Sequence, residues 1–268
     1  MDYKKITEAN REAWNEVTPI HQKHRPENYQ ELFRQKGFST LDNLITTKLN
    51  QVGLKGKTAA QLCCNNGRET LSLLNLGADR AVGFDISDEA VTEARELARS
   101  AGLECEFVRT DVYDITNEHF GKYDMVFITI GGLSWLPDLN RFFGVVSNML
   151  KPGGDLVIYE QHPFLYVFAT EVDDDFDPDF RTKVAFSYFR TDPWRDDQGI
   201  DYIGKTTYKS KPNFSYTQKV SDIVNGIVKN GIRLDEFNEY SHDISETYGG
   251  LENGDFLPRC YILLGHKE

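Results

Sequence analysis

The chain has 268 residues, 40% of them hydrophobic, and a formal net charge of -12. This length predicts one large domain, or one domain with an elaborated cap. The negative charge argues against nucleic acid as a partner, because a phosphate backbone would be repelled. No apolar run approaches the ~18 residues of a membrane span. The N-terminal sequence lacks the apolar core of a signal peptide, so we expect a cytoplasmic protein without a membrane partner.

Cysteine spacing gives no sign of a disulfide framework or of a metal site. The four cysteines show no CxxC pattern, which predicts reduced thiols. The stretch "DDDFDPDF" suggests calcium at first sight. An EF-hand loop, however, needs Gly at its sixth position and Glu at its twelfth, where this chain has Pro178 and Val184. We therefore predict a solvated acidic loop and no bound metal.

Helical and strand patterns follow one another along the chain. Residues 1–56 are predicted to be helical, and Ser39 is a plausible N-cap for "STLDNLITTKLNQVG". "SDEAVTEARELARSAG" is the clearest helix, with Ser87 as its cap and Gly102 at its end. Other predicted helices are "RETLSLLNLGA", "DLNRFFGVVSNML" and "TQKVSDIVNGIVKNG". Predicted strands are "TAAQLC", "RAVGFDI", "ECEFVRT", "YDMVFITI", "DLVIYE", "IRLDEFNEYS" and "LPRCYILLGHKE".

The alternation of apolar strands with amphipathic helices predicts an α/β protein with a parallel sheet covered on both faces. Ligands of such sheets bind beyond the carboxyl ends of the strands. Two acids follow predicted strands there. Asp85 lies 18 residues after Gly67 and could accept both hydroxyls of a ribose, or could only cap the next helix. Asp111 could accept from an adenine amine beside the amide of Val112, or could be a solvated loop acid.

These motifs, in this order, resemble the cofactor-binding core of class I S-adenosylmethionine-dependent methyltransferases over residues 57–160. The first loop of that family usually has the pattern D-L-G-C-G-T-G, and the matching residues here are "QLCCNNG", 61–67. Asp85, Asp111, "FITIGGLSWLPD" and the turn "LKPGG" also match in position. The resemblance implies a Rossmann-like, doubly wound and mainly parallel seven-stranded sheet with an antiparallel last strand. Residues 218–268 would complete this core.

The resemblance also implies the cofactor, S-adenosyl-L-methionine, and its product, S-adenosyl-L-homocysteine. The reaction would be in-line methyl transfer to an unidentified small molecule. Gln61 departs from the usual Asp, and Cys63 and Asn65 replace two glycines. Asn tolerates the left-handed backbone that glycine normally supplies, so the loop is still predicted to hold the cofactor. The cofactor-binding residues implied are Cys63, Cys64, Asn65, Gly67, Asp85, Ile86, Asp111, Val112, Thr129, Ile130, Gly131 and Trp135.

Residues 161–217 are predicted to be a β-rich insertion that forms a substrate lid, and residues 1–56 to cover the cofactor site. The aromatic and β-branched stretches "KVAFSYFRTDPW" and "IDYIGKTTYKS" suit antiparallel strands. His162 is the histidine at a strand's carboxyl end and is a candidate base, or a residue that only shapes the pocket. Trp14, His21 and Tyr166 are candidate substrate-binding residues. Monomer and homodimer both remain open.

Two other functions remain open from the sequence. A nicotinamide-dependent oxidoreductase would share the fold and Asp85, but "CCNNGRE" does not supply the GxGxxG pattern. A non-catalytic S-adenosylmethionine-binding protein would keep the fold with reduced affinity for the cofactor, and Gln61 gives that alternative some weight.

Overall fold

The computed structural model describes residues 3–245, 247–248, 251 and 256–268. The helices are α1 (Tyr3–His24), α2 (Tyr29–Leu32), α3 (Asn43–Val52), α4 (Arg68–Asn75), α5 (Asp88–Ala101), α6 (Leu139–Met149) and α7 (Val220–Lys229). The strands are β1 (Thr58–Leu62), β2 (Arg80–Asp85), β3 (Glu106–Arg109), β4 (Tyr123–Thr129), β5 (Leu150–Gln161), β6 (Trp194–Asp196), β7 (Asn213–Ser215), β8 (Ile232–Tyr240) and β9 (Cys260–Lys267). In the described ranges, no helix has the length and apolar character needed to cross a membrane.

Seven strands form one sheet in the order β3-β2-β1-β4-β5-β9-β8. The first five pair in parallel, and β9 lies antiparallel between β5 and β8. The fold is therefore the predicted mainly parallel, seven-stranded sheet with an antiparallel last strand. The strand order changes direction at β1 and β4, so a crevice opens beyond their carboxyl ends.

Apolar strands are buried on both faces of this sheet, as the continuous apolar runs predict. Helices α6 and α7 pack on one face together with side chains such as Leu62, Phe84 and Ile128. Helices α3 and α4 cover the other face, where Phe127 and Tyr159 are buried. The predicted caps of α5 are confirmed. Ser87 accepts the Ala90 amide, and Gly102 ends the helix with a left-handed backbone.

The predicted cap of α3 is wrong by three residues. The side chain of Asp42, not Ser39, accepts the amides of Leu44 and Ile45. Ser39 instead accepts the Leu41 amide within the preceding turn. Both residue types are good caps, and the sequence pattern does not separate two candidates that lie within one turn of each other.

The "KPGG" turn lies inside a strand in the structure. Strand β5 begins at Leu150, opposite Tyr123, and its next partner pair is Asp155 with Met125. Residues 151–154 therefore form a bulge, because β4 advances two residues while β5 advances five. Its position at the end of the sheet opposite the crevice leaves the carboxyl ends of β4 and β5 in register.

The insertion contains little of the predicted β structure. It has one short antiparallel pair, β6 with β7, and an isolated bridge from Phe168 to Val184. The stretches 183–193 and 200–210, predicted as strands, are otherwise irregular. β-Propensity depends on cross-strand neighbours, so aromatic and β-branched residues do not form strands where no partner strand is available.

The corrected cap of α3 can be tested by removing each candidate side chain. Asp42→Ala should lower the free energy of unfolding by about 1–2 kcal/mol, because two helix amides lose their acceptor. Ser39→Ala is the matched control and should cost less than about 0.5 kcal/mol. Urea unfolding measures both values. A larger loss for Ser39→Ala than for Asp42→Ala would contradict the assignment.

Candidate functional site

The loop between β1 and α4 has an unusual backbone at the carboxyl edge of the sheet. Cys63, Asn65 and Gly67 all have positive φ, at 55°, 48° and 76°. Asn65 thus adopts the left-handed backbone that its sequence position predicts. Cys63 does so without the local side-chain hydrogen bonding available to Asn, at a cost of about 1–2 kcal/mol. Such strain is concentrated at ligand sites, which favours a binding role for this loop.

Helix α4 presents its N-terminus to the crevice. Gly67 is its N-cap residue and provides no side-chain hydrogen bond to the first turn. A helix start without a capping side chain has free amides and a positive dipole end, which suits a carboxylate ligand. Arg68 follows, and its guanidinium lies 4.8 Å above the ring of Tyr29 from α2.

Asp85 holds two parts of the crevice together. Its Oδ2 accepts the Asn65 amide at 2.7 Å, and its Oδ1 accepts the Ser87 amide at 2.9 Å. Burial raises the pKa of this carboxyl, and the backbone amides of Ser87, Asn65 and Ile86 oppose the shift. Each oxygen keeps a second lone pair, so the carboxylate could also accept ribose hydroxyls. Ile86, which is half-buried, lies between Asp85 and the start of α5.

Gln61 has taken a structural role in place of the family's usual acid. It is buried, and its Nε2 donates to the Thr129 hydroxyl at 3.0 Å. Its Oε1 accepts from the hydroxyl of Thr70 in α4. The side chain therefore joins β1, β4 and α4, and its amide nitrogen and its amide oxygen each bind a protein hydroxyl.

Helix α1 covers the end of β3 and the start of α5. The Asp111 carboxylate accepts the Thr7 hydroxyl at 2.6 Å and caps the Tyr113 amide at 3.0 Å. Asn15 accepts the Ser87 hydroxyl at 2.7 Å. The carboxylate predicted to receive an adenine amine is thus already bound to α1 in this structure. Val112, the next predicted residue, is buried in the turn after Asp111.

The end of β4 turns sharply towards a buried acid. Gly131 has a φ of 82°, and its amide donates to Glu160 Oε1. The amides of Leu133 and Gln161 donate to the same carboxylate at 3.1 and 2.9 Å. Burial raises the pKa of Glu160 to about 7, although these amides oppose the shift. Among the predicted residues here, Thr129 is buried and Ile130 is 44% exposed.

Aromatic rings from α1, the β4 turn and the insertion meet above this edge. Trp14 lies edge-on to Trp135, with ring centroids 5.3 Å apart. His21 lies 4.4 Å from the ring of Tyr202, and its Nε2 is 3.1 Å from the Ile200 carbonyl. Trp14, His21 and Trp135, three predicted site residues, are thus brought together. Cys63 and Cys64 are respectively half-buried and buried, and burial raises the pKa of both thiols.

The structure does not bring His162 to the cofactor loop. Its Nδ1 accepts the Phe164 amide at 3.1 Å, so His162 caps the 3-10 turn Pro163–Val167. Its Nε2 lies 2.8 Å from Glu239 of β8, poorly aligned for a hydrogen bond. Burial lowers the pKa of the imidazole, and Glu239 opposes that shift. This geometry favours the pocket-shaping alternative over the predicted base. Tyr166, in the same turn, lies near Glu160 and Ser134.

Thr7 and Asn15 are not among the predicted site residues, whereas Glu160 lies in the stretch 160–163, where the strand-end rule predicts ligand contacts without giving Glu160 a role. Thr7, Trp14, Asn15 and His21 lie on one face of α1 at helical spacing, and that mixed polar and aromatic stripe was the available signal. Glu160 follows the apolar run 156–159 near the carboxyl end of β5, which is the position where a buried acid is expected to have a role. Within the part of the chain that the structure describes, no cluster of His, Cys, Asp or Glu is placed to hold a metal ion.

Comparison with known proteins agrees with this geometry. Residues 59–154 match the family described as "Methyltransferase domain". A "Ubiquinone biosynthesis O-methyltransferase" of Shewanella pealeana is 30% identical over 122 residues. The match covers 44% of this chain and 51% of that relative, so the chain spans about half the length of the curated relatives it matches first.

Solved structures extend the likeness to the whole fold. An S-adenosylmethionine-dependent methyltransferase from Clostridium acetobutylicum has a TM-score of 0.57 at 16% identity, covering 95% of this chain and 98% of its own. The cyclase SpnF has a TM-score of 0.58 at 14% identity, covering 95% and 93%. Residues 59–154 therefore match a methyltransferase domain, and the chain has the fold of the solved S-adenosylmethionine-dependent methyltransferases.

Burial of His21 should make stability depend on pH. Burial lowers the pKa of this imidazole from 6.5 to about 4, with Arg25 contributing. The unfolded chain then binds more protons between those pH values, so stability falls as pH drops from about 6.5 to about 4. Across this pH range, protonation of His21 in the unfolded chain lowers the free energy of unfolding by about 3 kcal/mol.

His21→Gln should therefore reduce the pH slope of unfolding free energy between pH 6.5 and 4.5, measured in urea. Gln can still donate to the Ile200 carbonyl. A measurement at pH 7.5 controls for lost packing, because His21 is neutral at that pH in both the folded and the unfolded chain. Parallel pH profiles of wild type and variant would contradict the prediction.

Proposed function

We propose that this protein is an S-adenosylmethionine-dependent methyltransferase that acts on a small molecule. The observation that carries the proposal is the left-handed loop of residues 63–67, clamped by Asp85 beside the uncapped start of α4. The named O-methyltransferase relative supports the same activity and favours oxygen as the methyl acceptor. The negative net charge and the aromatic cover of the site favour a small molecule over nucleic acid.

The residues at the edge fit the parts of this cofactor. The start of α4 and the amides of residues 63–67 would hold the methionine carboxylate. Asp85 would accept the ribose hydroxyls, while Ile86 and Val112 supply apolar surface beside the adenine. Asp111 would accept the adenine amine, and this requires Thr7 to share or release the carboxylate. Thr129, Ile130 and Gly131 would line the methionine end, and Trp135 would lie above it.

When bound, the cofactor would supply an electrophilic methyl group. An electron pair of the acceptor would form the new bond to the methyl carbon, and the pair of the broken carbon–sulfur bond would stay on sulfur. The protein must hold the acceptor in line, exclude water and take up a proton where the acceptor carries one. We propose that Glu160 accepts that proton, because it lies at the β4 turn and burial raises its pKa to about 7, near neutral pH. His162 would hold the turn of Pro163–Val167 that carries Tyr166.

We also propose that residues 1–56 and 161–217 form the cover of the site around the core of 57–160 and 218–268. Asn10 of α1 exchanges two hydrogen bonds with the backbone of Phe214, which joins both covers. The insertion also reaches the β4 turn, where the Tyr216 amide donates to the Ser134 carbonyl at 2.8 Å. The four free cysteines support a reducing compartment, as in the cytoplasm.

A second candidate is a binding protein that holds the cofactor without methyl transfer. Gln61 favours it, because the side chain that replaces the family's usual acid is bonded to Thr70 and Thr129. The cyclase SpnF has a similar fold and is named for a different reaction, so the fold alone does not decide.

The cofactor assignment can be tested by calorimetry on the full chain. S-adenosylhomocysteine should bind at millimolar concentration or below and raise the melting temperature, whereas NAD should do neither. Asp85→Asn should weaken S-adenosylhomocysteine binding about 10- to 100-fold, because a charged acceptor of hydroxyls is lost. Asp79→Asn is the matched control at the opposite end of β2 and should change nothing. Binding of NAD without S-adenosylhomocysteine would overturn the proposal.

The proton acceptor can be identified once a panel of small phenols, amines, thiols and carboxylates gives turnover. Glu160→Gln should lower kcat by about 100-fold and remove the rise in rate through pH 7, with S-adenosylhomocysteine affinity retained. His162→Asn keeps an acceptor for the Phe164 amide and should retain most of the turnover. A loss in His162→Asn that exceeds the loss in Glu160→Gln would restore His162 as the base.

A further inference from the structure

A small, partly open cavity lies beside the β4 turn. Its volume is about 10 Å³, which is roughly the space needed for one oxygen-sized atom. The lining combines the 3-10 turn after β4, the end of β5, the end of the insertion and α7. The lining residues are Leu133, Ser134, Glu160, Gln161, Pro163, Tyr166, Tyr216, Gln218, Ile223 and Tyr261.

Gln161 Nε2 and the Tyr261 hydroxyl both lie in this lining without a hydrogen-bond partner in the described residues. Tyr261 is the one whose side chain lies beside Glu160. The residue is fully buried, and its hydroxyl has no hydrogen-bond partner within the described residues. It is the cross-strand partner of Glu160 in the β5–β9 pair, so both side chains lie on the same face of the sheet. A buried hydroxyl without a partner costs about 1–3 kcal/mol, so a ligand or a water is expected to satisfy it.

Three other polar side chains around the cavity already make hydrogen bonds. Glu160 accepts its backbone amides, Ser134 donates to the Gly131 carbonyl at 2.8 Å, and Gln218 donates to the Leu136 carbonyl at 2.6 Å. No Lys or Arg is among the lining residues, and Glu160 would repel a second anion. The free phenol is a donor at neutral pH, because burial raises the pKa of Tyr261 well above its ordinary value.

We propose that this cavity anchors one uncharged oxygen of the methyl acceptor, a hydroxyl or a carbonyl, through a hydrogen bond from Tyr261. The inference rests on the proposed function and narrows its substrate to neutral molecules that carry such an oxygen. Glu160 connects the cavity to the predicted methyl site, because its carboxylate also binds the Gly131 amide at the end of β4. The volume admits that oxygen alone, so the body of the acceptor would lie outside the cavity.

The test uses phenol as a neutral probe, with benzoate and benzylamine as charged counterparts and toluene as the counterpart without oxygen. Crystals grown with S-adenosylhomocysteine and soaked in phenol should show the phenol oxygen within hydrogen-bonding distance of the Tyr261 hydroxyl. Calorimetry in the presence of S-adenosylhomocysteine should show phenol binding that Tyr261→Phe weakens about 10-fold. Tyr159→Phe is the matched control, since Tyr159 lies on the opposite face of β5 and donates to Asp42.

The outcomes separate the two proposals. If S-adenosylhomocysteine fails to bind, the proposed function fails. If it binds, any of three results overturns the oxygen anchor alone. These are a water at Tyr261 that phenol does not displace, a phenol affinity that is equal in wild type and Tyr261→Phe, and tighter binding of benzoate, benzylamine or toluene than of phenol.

Discussion

The Asp85 carboxylate is the interaction on which the crevice depends, because it fixes two loops from different strands at once. Its bonds to the amides of Asn65 and Ser87 set the position of the left-handed loop relative to the start of α5. The ends of β1 and β2 would otherwise carry unpaired amides beside a ligand site, at a cost comparable to a lost hydrogen bond for each buried group. One acid therefore organises the site and could also contact the ligand.

Gln61 shows how the same edge stays ordered without the acid that usually stands there. An ionised carboxylate at this buried position would need hydrogen bonds or a charge partner to offset desolvation. A neutral amide needs only a donor and an acceptor, and Thr70 and Thr129 provide them. Because both ends of the Gln61 amide bind protein groups, recognition of the methionine end would rest mainly on the loop amides and on α4.

Sequence patterns predicted the parts of the fold that depend on local periodicity and burial. The strands of the core, the caps of α5 and the inward face of α6 all follow from residue spacing. The bond of Thr7 to Asp111 joins residues 104 positions apart, and no local pattern reports such a contact. His162 was placed at the correct strand end, but its ring direction depends on Phe164 and on Glu239 of β8. Chemistry at a strand end was predictable, whereas side-chain direction required tertiary structure.

The docking of α1 has a consequence for the order of folding. Its Asn10 contacts Phe214, 204 residues later, so the first helix of the chain cannot complete its contacts until the insertion has formed. Contacts of such long sequence separation carry a high loop-closure entropy and form late. During synthesis strands β1–β5 can pair first, while α1 must wait for almost four-fifths of the chain before it meets Phe214. The crevice is therefore expected to close only after β1–β5 and the insertion have been made, with β8 and β9 still to follow along the chain.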